Sequence, residues 1–502
     1  MLTRTELQTL YDQGPDAVFA LLQTLGATLR AQQGQLDALQ EQNTRLVEQN
    51  VGLHERIHEL EARLNKNSNN SSKPPASDGF QKKAPPVNLR QKTGKPSGGQ
   101  PGHGGHTLKW RDDPDQTISH APHACSACGT SLLEVPGVLA EKRQVFDLPP
   151  LTLQVSEHQS VAWVCPHCQT RTVGAFPPKV TQPTQYGPEI LALGVYLNQY
   201  QLLPLARTHE MLADLLGYAP SQRALLTAIG EAYHALAPVE AIIKTAVATA
   251  NVSHFDETGV RAACHLHWIH VACTPTLTVY AHSLYRGRKA FAEIGILPRF
   301  QGTSVPDGYT AYQDPRYPGR HALCNAHHLR ELLGLFETTR QTWSQRMSTL
   351  LRRLKRRKEA AQTRNELALD LGQLARYRQA YRLILTKGLR QNPLPAPTGQ
   401  RGRPAQGVAR SLLLRLQASE EAVLRFATDF AVPFDNNQAE RDLRMIKVQQ
   451  KVSGCFRTVE GAEHFCRIRG YISTMRKQRT SLLTALRSVF IGQLIYPCLT
   501  PA

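Results

Sequence analysis

"NVSHFDETGV" at residues 251–260 and "HLHWIHVACTPTLTVYAHS" at 265–283 mark a change of texture in the chain. From about Thr184 to Ala250, apolar residues recur at three- and four-residue spacing, with a turn near Gly217–Pro220, so helices are expected there. Beyond Ala250 the sequence becomes β-rich, which predicts strands. "TSVPDGYTAY" (303–312) and "RHALCNAHHLRELL" (320–333) follow. Strands, then a helix, a strand and another helix predict an α/β core over 251–340, resumed at 426–490 before a short tail at 491–502.

The two halves of that core are separated by a basic stretch. Residues 341–410 hold 16 Lys or Arg and 3 acids, including "LRRLKRRKEA", and a basic helical insertion is expected over 341–425. Near its end, Arg401-Gly402-Arg403-Pro404 is similar to the core of a minor-groove hook, with a plain loop as the alternative. Then comes "PFDNNQAERDLRMIKVQQ", Pro433–Gln450. Here Glu440 shares a helical face with Arg444, Lys447 and Lys451. It has two ordinary readings: capping-box partner of Asn437, or ion-pair partner of Arg444 one turn on. Leu443 and Ile446 lie on the adjacent stripe that would anchor the helix.

Upstream of the helices, residues 119–180 contain Cys125-Ser-Ala-Cys128 and Cys165-Pro-His-Cys168, with 36 residues between the pairs. Two short-spaced thiol pairs suit one structural, tetrahedral, four-cysteine zinc ion. The intervening "RQVFDLPPLTLQVSEHQSVAWV" alternates like paired strands, so a small zinc-ribbon-like β domain is expected. Residues 65–118 are rich in Asn, Ser, Pro, Gly and Lys. Residues 65–111 carry nine Lys or Arg against one acid, Asp78, which predicts a disordered basic linker. Within residues 1–64 a heptad register places Leu25, Leu39, Leu46, Leu53 and Leu60 at d, and Asn43 and Asn50 at a. That is the pattern of a parallel two-stranded coiled coil, in which buried Asn sets register at some cost in stability.

Overall, 59 Lys and Arg against 40 Asp and Glu leave a charge of +19, the surface of a partner to a polyanion. No run of about 18 apolar residues exists to span a bilayer. "MLTRTELQTLYDQG" lacks an apolar signal core. A soluble intracellular protein is expected.

Three acids stand out in the α/β region. Asp256 ends a first strand, Asp307 ends a later one, and Glu440 lies on the helix after the insertion. Each has a local reading, as strand-end acid, turn residue or cap. Together they form a set that two strands and a helix can converge on divalent ions. Carboxylate oxygens are what Mg²⁺ or Mn²⁺ prefers, and a two-ion site serves phosphodiester displacement. Glu257, next to Asp256, would point to the opposite face of the strand. Cys324 and His327 have ligand-like spacing but also suit core packing.

The motifs "NSNNSSKPPASDG", "GGQPGHGGHTL", "HFDETGVR", "PDGYTAY", "HALCNAHHLREL" and "FDNNQAERDLRMIKVQQKVSGCFRT", with the two Cys pairs, resemble those of the insertion-sequence-66 transposases. The resemblance covers nearly the whole chain. It implies a DDE recombinase with a ribonuclease-H-like catalytic domain and Asp256, Asp307 and Glu440 as triad. It further implies binding to terminal inverted repeats, hydrolysis that frees 3′-hydroxyls, and their direct attack on target DNA. Arg441, Arg444, Lys447, Lys451, Arg457, Arg401 and Arg403 become candidate phosphate contacts. A homodimer or higher oligomer and small element-encoded accessory proteins are implied partners. The competing readings are a non-catalytic zinc-containing DNA-binding repressor and a nuclease of the same fold.

Overall fold

The computed structural model describes residues 3–64, 66, 70–71, 108–149, 151–394 and 407–499. Most of the expected linker, together with Arg401 and Arg403, lies outside the described residues. The chain divides into two compact units. The first takes Met1–Pro85, Asn325–Ala360 and Asp370–Ala418, and the second takes Pro86–Cys324, Ala361–Leu369 and Ser419–Ala502.

In the first unit, α1 (Arg4–Asp12) precedes the 50-residue α2 (Pro15–Leu64). Pro15 opens α2, where its missing N–H costs nothing. At 1.5 Å per residue α2 is about 75 Å long. Leu25, Leu39, Leu46, Leu53 and Leu60 are between 44% and 62% exposed, so this stripe stays open to solvent. Asn43 and Asn50 are exposed with it.

The second unit begins with the thiol region. Strands β1 (Ala162–Val164) and β2 (Arg171–Val173) pair antiparallel around the second Cys pair, with Trp163 opposite Thr172. The expected strand pairing within 143–161 does not form: among the described residues there, none is in a strand. Alternation alone did not suffice, because Val145, Leu148 and Val155 find no apolar face to cover them and remain exposed.

Helices α3 (Pro188–Val195), α4 (Leu205–Leu216), α5 (Gln222–Ala235) and α6 (Ala237–Ala248) follow, as the spacing predicts. Gly217 ends α4 at φ +69°, and Ser221 caps α5 by accepting from Ala224 N–H at 3.2 Å. Then come β3 (Val252–Ala262), β4 (His265–Cys273), β5 (Thr278–Ser283), α7 (Arg288–Ile294), β6 (Thr303–Val305) and β7 (Arg320–His321). They form one mixed sheet in the order β5-β4-β3-β6-β7. β3, β4 and β5 are antiparallel neighbours, while β6 runs parallel to β3 and β7 parallel to β6. Gly302 leads into β6 where a Cβ would sit 2.3 Å from Ala250 O, so only glycine permits this close approach.

In the first unit the chain continues as α8 (Asn325–Thr339), most of α9 (Thr342–Thr363), α10 (Leu371–Gln391) and α11 (Val408–Ala418). It returns to the second unit as α12 (Glu420–Thr428), α13 (Asn437–Val452), α14 (Val459–Lys477) and α15 (Leu482–Ile491). Strand parity divides the sheet's two faces. Phe255, Ala272 and Val279 pack with Ile243 of α6 and Ile472 of α14. Val260, Ile269 and Val271 pack on the other face with Leu443 and Ile446 of α13, the two anchors expected from the sequence. Burying each of those two side chains is worth about 1.5–3 kcal/mol. No helix among the described residues is long and apolar enough to cross a membrane.

Candidate active site

The β3–β6 ladder pairs Val252 with Thr303, Ser253 with Ser304 and His254 with Val305. The ladder ends there; continuing it by two residues would bring Asp307 level with Asp256, in keeping with the charge of Asp307 being the largest acting on Asp256. Neighbouring strands lie about 4.8 Å apart and equivalent positions share a face. Asp256 therefore projects with Val260 toward the face covered by α13, the helix that carries Glu440. Glu257 projects with Phe255 toward the other face. Parity separates the two adjacent acids as the sequence suggested.

Electrostatics agree with this convergence. Burial, then the charges of Asp307 and Glu257 and more weakly Glu440, push Asp256 well above the usual carboxylate range. A backbone bond from Glu257 N–H, 2.8 Å from Oδ1, opposes this only in part. Burial also raises Asp307, against a bond from Tyr309 N–H at 2.8 Å and the nearby Arg286. Asp256 and Asp307 repel one another and keep part of their surface open, which suits a hard divalent cation, while the oxygens of Asp256, Asp307 and Glu440 do not all lie within 4.8 Å of one another.

Asn436 holds the Glu440 helix to the Asp256 strand. It is fully buried. Its Nδ2 donates to Phe255 O at 2.8 Å, which leaves Oδ1 to accept from His254 Nδ1 at 2.8 Å. Because an amide oxygen only accepts, His254 carries its proton on Nδ1, and burial lowers its pKa toward the neutral form. The backbone N–H of Asn436 donates to Cys324 Sγ at 3.1 Å. A Glu440 carboxylate oxygen lies within 4.8 Å of the same sulfur. His327 is in the first turn of α8, where burial pushes its imidazole down to about 3.

The capping-box reading of this helix is corrected. Asn436, not Asn437, is the N-cap and makes no side-chain cap bond. Glu440 is thus the fourth helical residue, one past the capping-box position. Asn437 is exposed.

Glu257 has a separate partner. Arg286 Nε donates to its Oε1 at 2.9 Å and Tyr312 O–H to its Oε2 at 2.5 Å. The guanidinium also lies 4.3 Å from the Tyr309 ring and 4.9 Å from the Trp268 ring. So Arg286 is held at one nitrogen and against two rings, while 44% of its side chain stays exposed beside Asp307. Sequence reasoning missed it. Nothing in "LYRGRKA" separates Arg286 from the chain's other 58 Lys and Arg.

The remaining candidates are spread more widely. Arg441, Arg444, Lys451 and Arg457 are exposed. Lys447 turns inward and donates to Gly259 O at 2.8 Å, tying α13 to β3. In the thiol region the two Cys pairs build matching knuckles. Gly129 N–H donates to Cys125 O and Gln169 N–H to Cys165 O, each at 2.9 Å, with both donors at positive φ. Hydrogen bonds, chiefly from Thr130 and Thr170, lower Cys128 and Cys168 to about 7. No three of the four sulfurs lie within 4.8 Å of one another.

Residues 183–464, more than half of the chain, match the family model described as Transposase IS66 family. Residues 122–169 match the zinc-finger binding domain of transposase IS66, and residues 26–109 match a family of unknown function. No curated protein matches the chain.

Proposed function

The chain belongs to the IS66 family of transposases, and from that premise we propose how its own residues carry the reaction. It is a DNA-directed enzyme with a zinc-binding domain. The sheet order, three antiparallel strands followed by two parallel ones, supports a ribonuclease-H-like catalytic core. Asp256, Asp307 and Glu440 are its metal ligands. The observation that supports this reading is that the β3–β6 ladder ends two residues before Asp256 and Asp307, that the charge of Asp307 is the largest acting on Asp256, and that the Glu440 helix covers that face of the sheet.

The ions are Mg²⁺ or Mn²⁺, and when bound they stabilise the attacking and leaving oxygens of a phosphodiester displacement. Arg286, fixed by Glu257 and the two rings, offers its terminal nitrogens to the non-bridging oxygens of the phosphate under attack. Asn436 keeps Glu440 in place through β3. Water attacks first and breaks a P–O bond, leaving a 3′-hydroxyl at each element end. That hydroxyl then attacks a target phosphate and displaces a target 3′-oxygen. Exposed Arg441 and Arg444 hold phosphates beside the site. The open leucine stripe of α2, with Asn43 and Asn50, supports a parallel two-stranded coil that pairs two ends. The matching knuckles of Cys125 and Cys128 and of Cys165 and Cys168 would hold one structural zinc, for which the four sulfurs would draw closer than they lie here.

The test is a strand-transfer assay on labelled element ends with Mg²⁺, comparing wild type with Glu440→Gln. Joining by wild type, with a variant that binds DNA but neither cuts nor joins, supports the triad. Equal activity of the two removes Glu440 from it.

A further inference from the structure

The first unit contains a feature that the triad does not use. Between α9 and α10 runs a groove of about 720 Å³. Arg346, Arg353 and Arg357 line it from α9, and Arg376 and Tyr377 from α10. No acidic residue lines it. A neighbouring stripe of α9, Trp343, Met347, Leu351 and Leu354, about a quarter-turn round the helix, is buried and fixes which way the arginines face.

A basic helix usually has a solvated face, so these four arginines must be distinguished from their neighbours. Lys355, on the same helix, is paired with Glu359 at 3.6 Å. Among the described residues, none of the four groove arginines has a carboxylate within 4 Å. They converge on a concavity from two helices rather than radiating from one. Along α9, Arg346 to Arg353 spans about 10 Å and Arg353 to Arg357 about 6 Å. The shorter step is close to the separation of neighbouring phosphates on one strand. Tyr377 is half-buried in the wall and offers the single aromatic face there. The step of about 6 Å and the aromatic face of Tyr377 suit a single strand, whose unpaired bases are free to stack.

We propose that the α9–α10 groove binds one sugar-phosphate strand of DNA, with Arg346, Arg353, Arg357 and Arg376 on phosphates and Tyr377 against a base. This rests on the reading that DNA is the substrate. Two sources offer the same chemistry: a strand at the element's own ends, and a strand of target DNA. An electrostatic track with a stacking platform is the general solution for a single strand.

The experiment uses the full chain and two matched variants, Arg353→Gln/Arg357→Gln and Arg352→Gln/Arg356→Gln. Both pairs are exposed, four residues apart, on the same helix and of the same charge, but only the first lines the groove. Dissociation constants are measured against salt for element-end DNA and for unrelated DNA, each single- and double-stranded. The groove pair is expected to lower the slope of log affinity against log salt by about 1.4 on single strands, two contacts at about 0.7 each. The matched pair should lower it by less than half as much. Loss confined to end DNA identifies the end strand as occupant, and equal loss on unrelated DNA identifies the target strand. Tyr377→Leu should weaken single-strand binding roughly tenfold and spare duplex.

Equal slopes for the two pairs overturn the proposal. Unchanged helical circular dichroism in both variants excludes misfolding as the cause of a difference. Strand transfer by wild type is scored on the same preparations. If wild type joins ends but the slopes match, only the groove falls. If the slopes differ but wild type neither cuts nor joins even with the element-encoded accessory proteins added, the catalytic reading falls and the groove stands.

Discussion

Replacing Asn436 with Ala should detach the Glu440 helix from the Asp256 strand. The side chain is fully buried and makes two hydrogen bonds of 2.8 Å, to Phe255 O and His254 Nδ1. Truncation leaves a carbonyl and an imidazole N–H buried without partners, at about 1–3 kcal/mol each. A value in the lower half of that range for the pair is about 3 kcal/mol. Hydrogen exchange read by mass spectrometry over residues 251–262 and 433–450 measures that local loss directly. At 1.4 kcal/mol per decade, amide protection in β3 should fall roughly 100-fold. Glu440 N–H donates to Asn436 O at 3.2 Å, so Glu440 moves with the cap. A displacement near 1 Å at the site costs on the order of 100-fold in cleavage. Asn437→Ala is the control: it is exposed one residue away and should change stability by less than about 0.5 kcal/mol. Wild-type protection in Asn436→Ala, or equal losses in the two variants, would refute the clamp.

Glu257→Gln should release Arg286 and lower cleavage by roughly 10–100-fold while Arg286→Lys, which loses the planar fork, falls at least as far; wild-type rates in both would remove Arg286 from the phosphate. Asp256, Glu257 and Asp307 all have folded pKa values above their unfolded ones, so the native state binds their protons more tightly. Their contribution to stability is therefore complete below the ordinary carboxylate range near about pH 4 and is lost as pH rises through the raised values. The thermal midpoint in chelator should fall over that climb, and Mn²⁺ at neutral pH should restore it in wild type but not in Asp256→Asn; a flat profile in chelator contradicts the reading. Metal-free Cys128 and Cys168 should alkylate with a midpoint near about 7, and one equivalent of zinc should protect them; alkylation unaffected by zinc would exclude these thiols as ligands. Leu46→Glu, at a d position of α2, should turn a sedimenting dimer into a monomer, and an unchanged sedimentation profile would move the dimer contact elsewhere.

Several elements were legible because their signal is local. Three- and four-residue spacing announced the helices from Pro188 to Ala248, and a β-rich composition announced β3, β4 and β5. The residues 143–161 alternate, yet stay out of strands, because an alternating segment needs an apolar face to cover it. The capping box failed because the helix starts one residue earlier, with Asn436 as its N-cap, and Asn436 gives its side chain to His254 and Phe255.

By itself the sequence determined the order of helices and strands, the three acids that anchor the catalytic reading, the paired thiols and the positive charge, since each depends on neighbours within a few residues. Tertiary structure alone decided which acids share a face, that Lys447 ties α13 to Gly259, that Glu257 serves Arg286, and that four arginines of two helices line one groove. The physical reason is distance along the chain. His254 and Asn436 are 182 residues apart in sequence and 2.8 Å apart in space, and no periodicity encodes a contact of that kind.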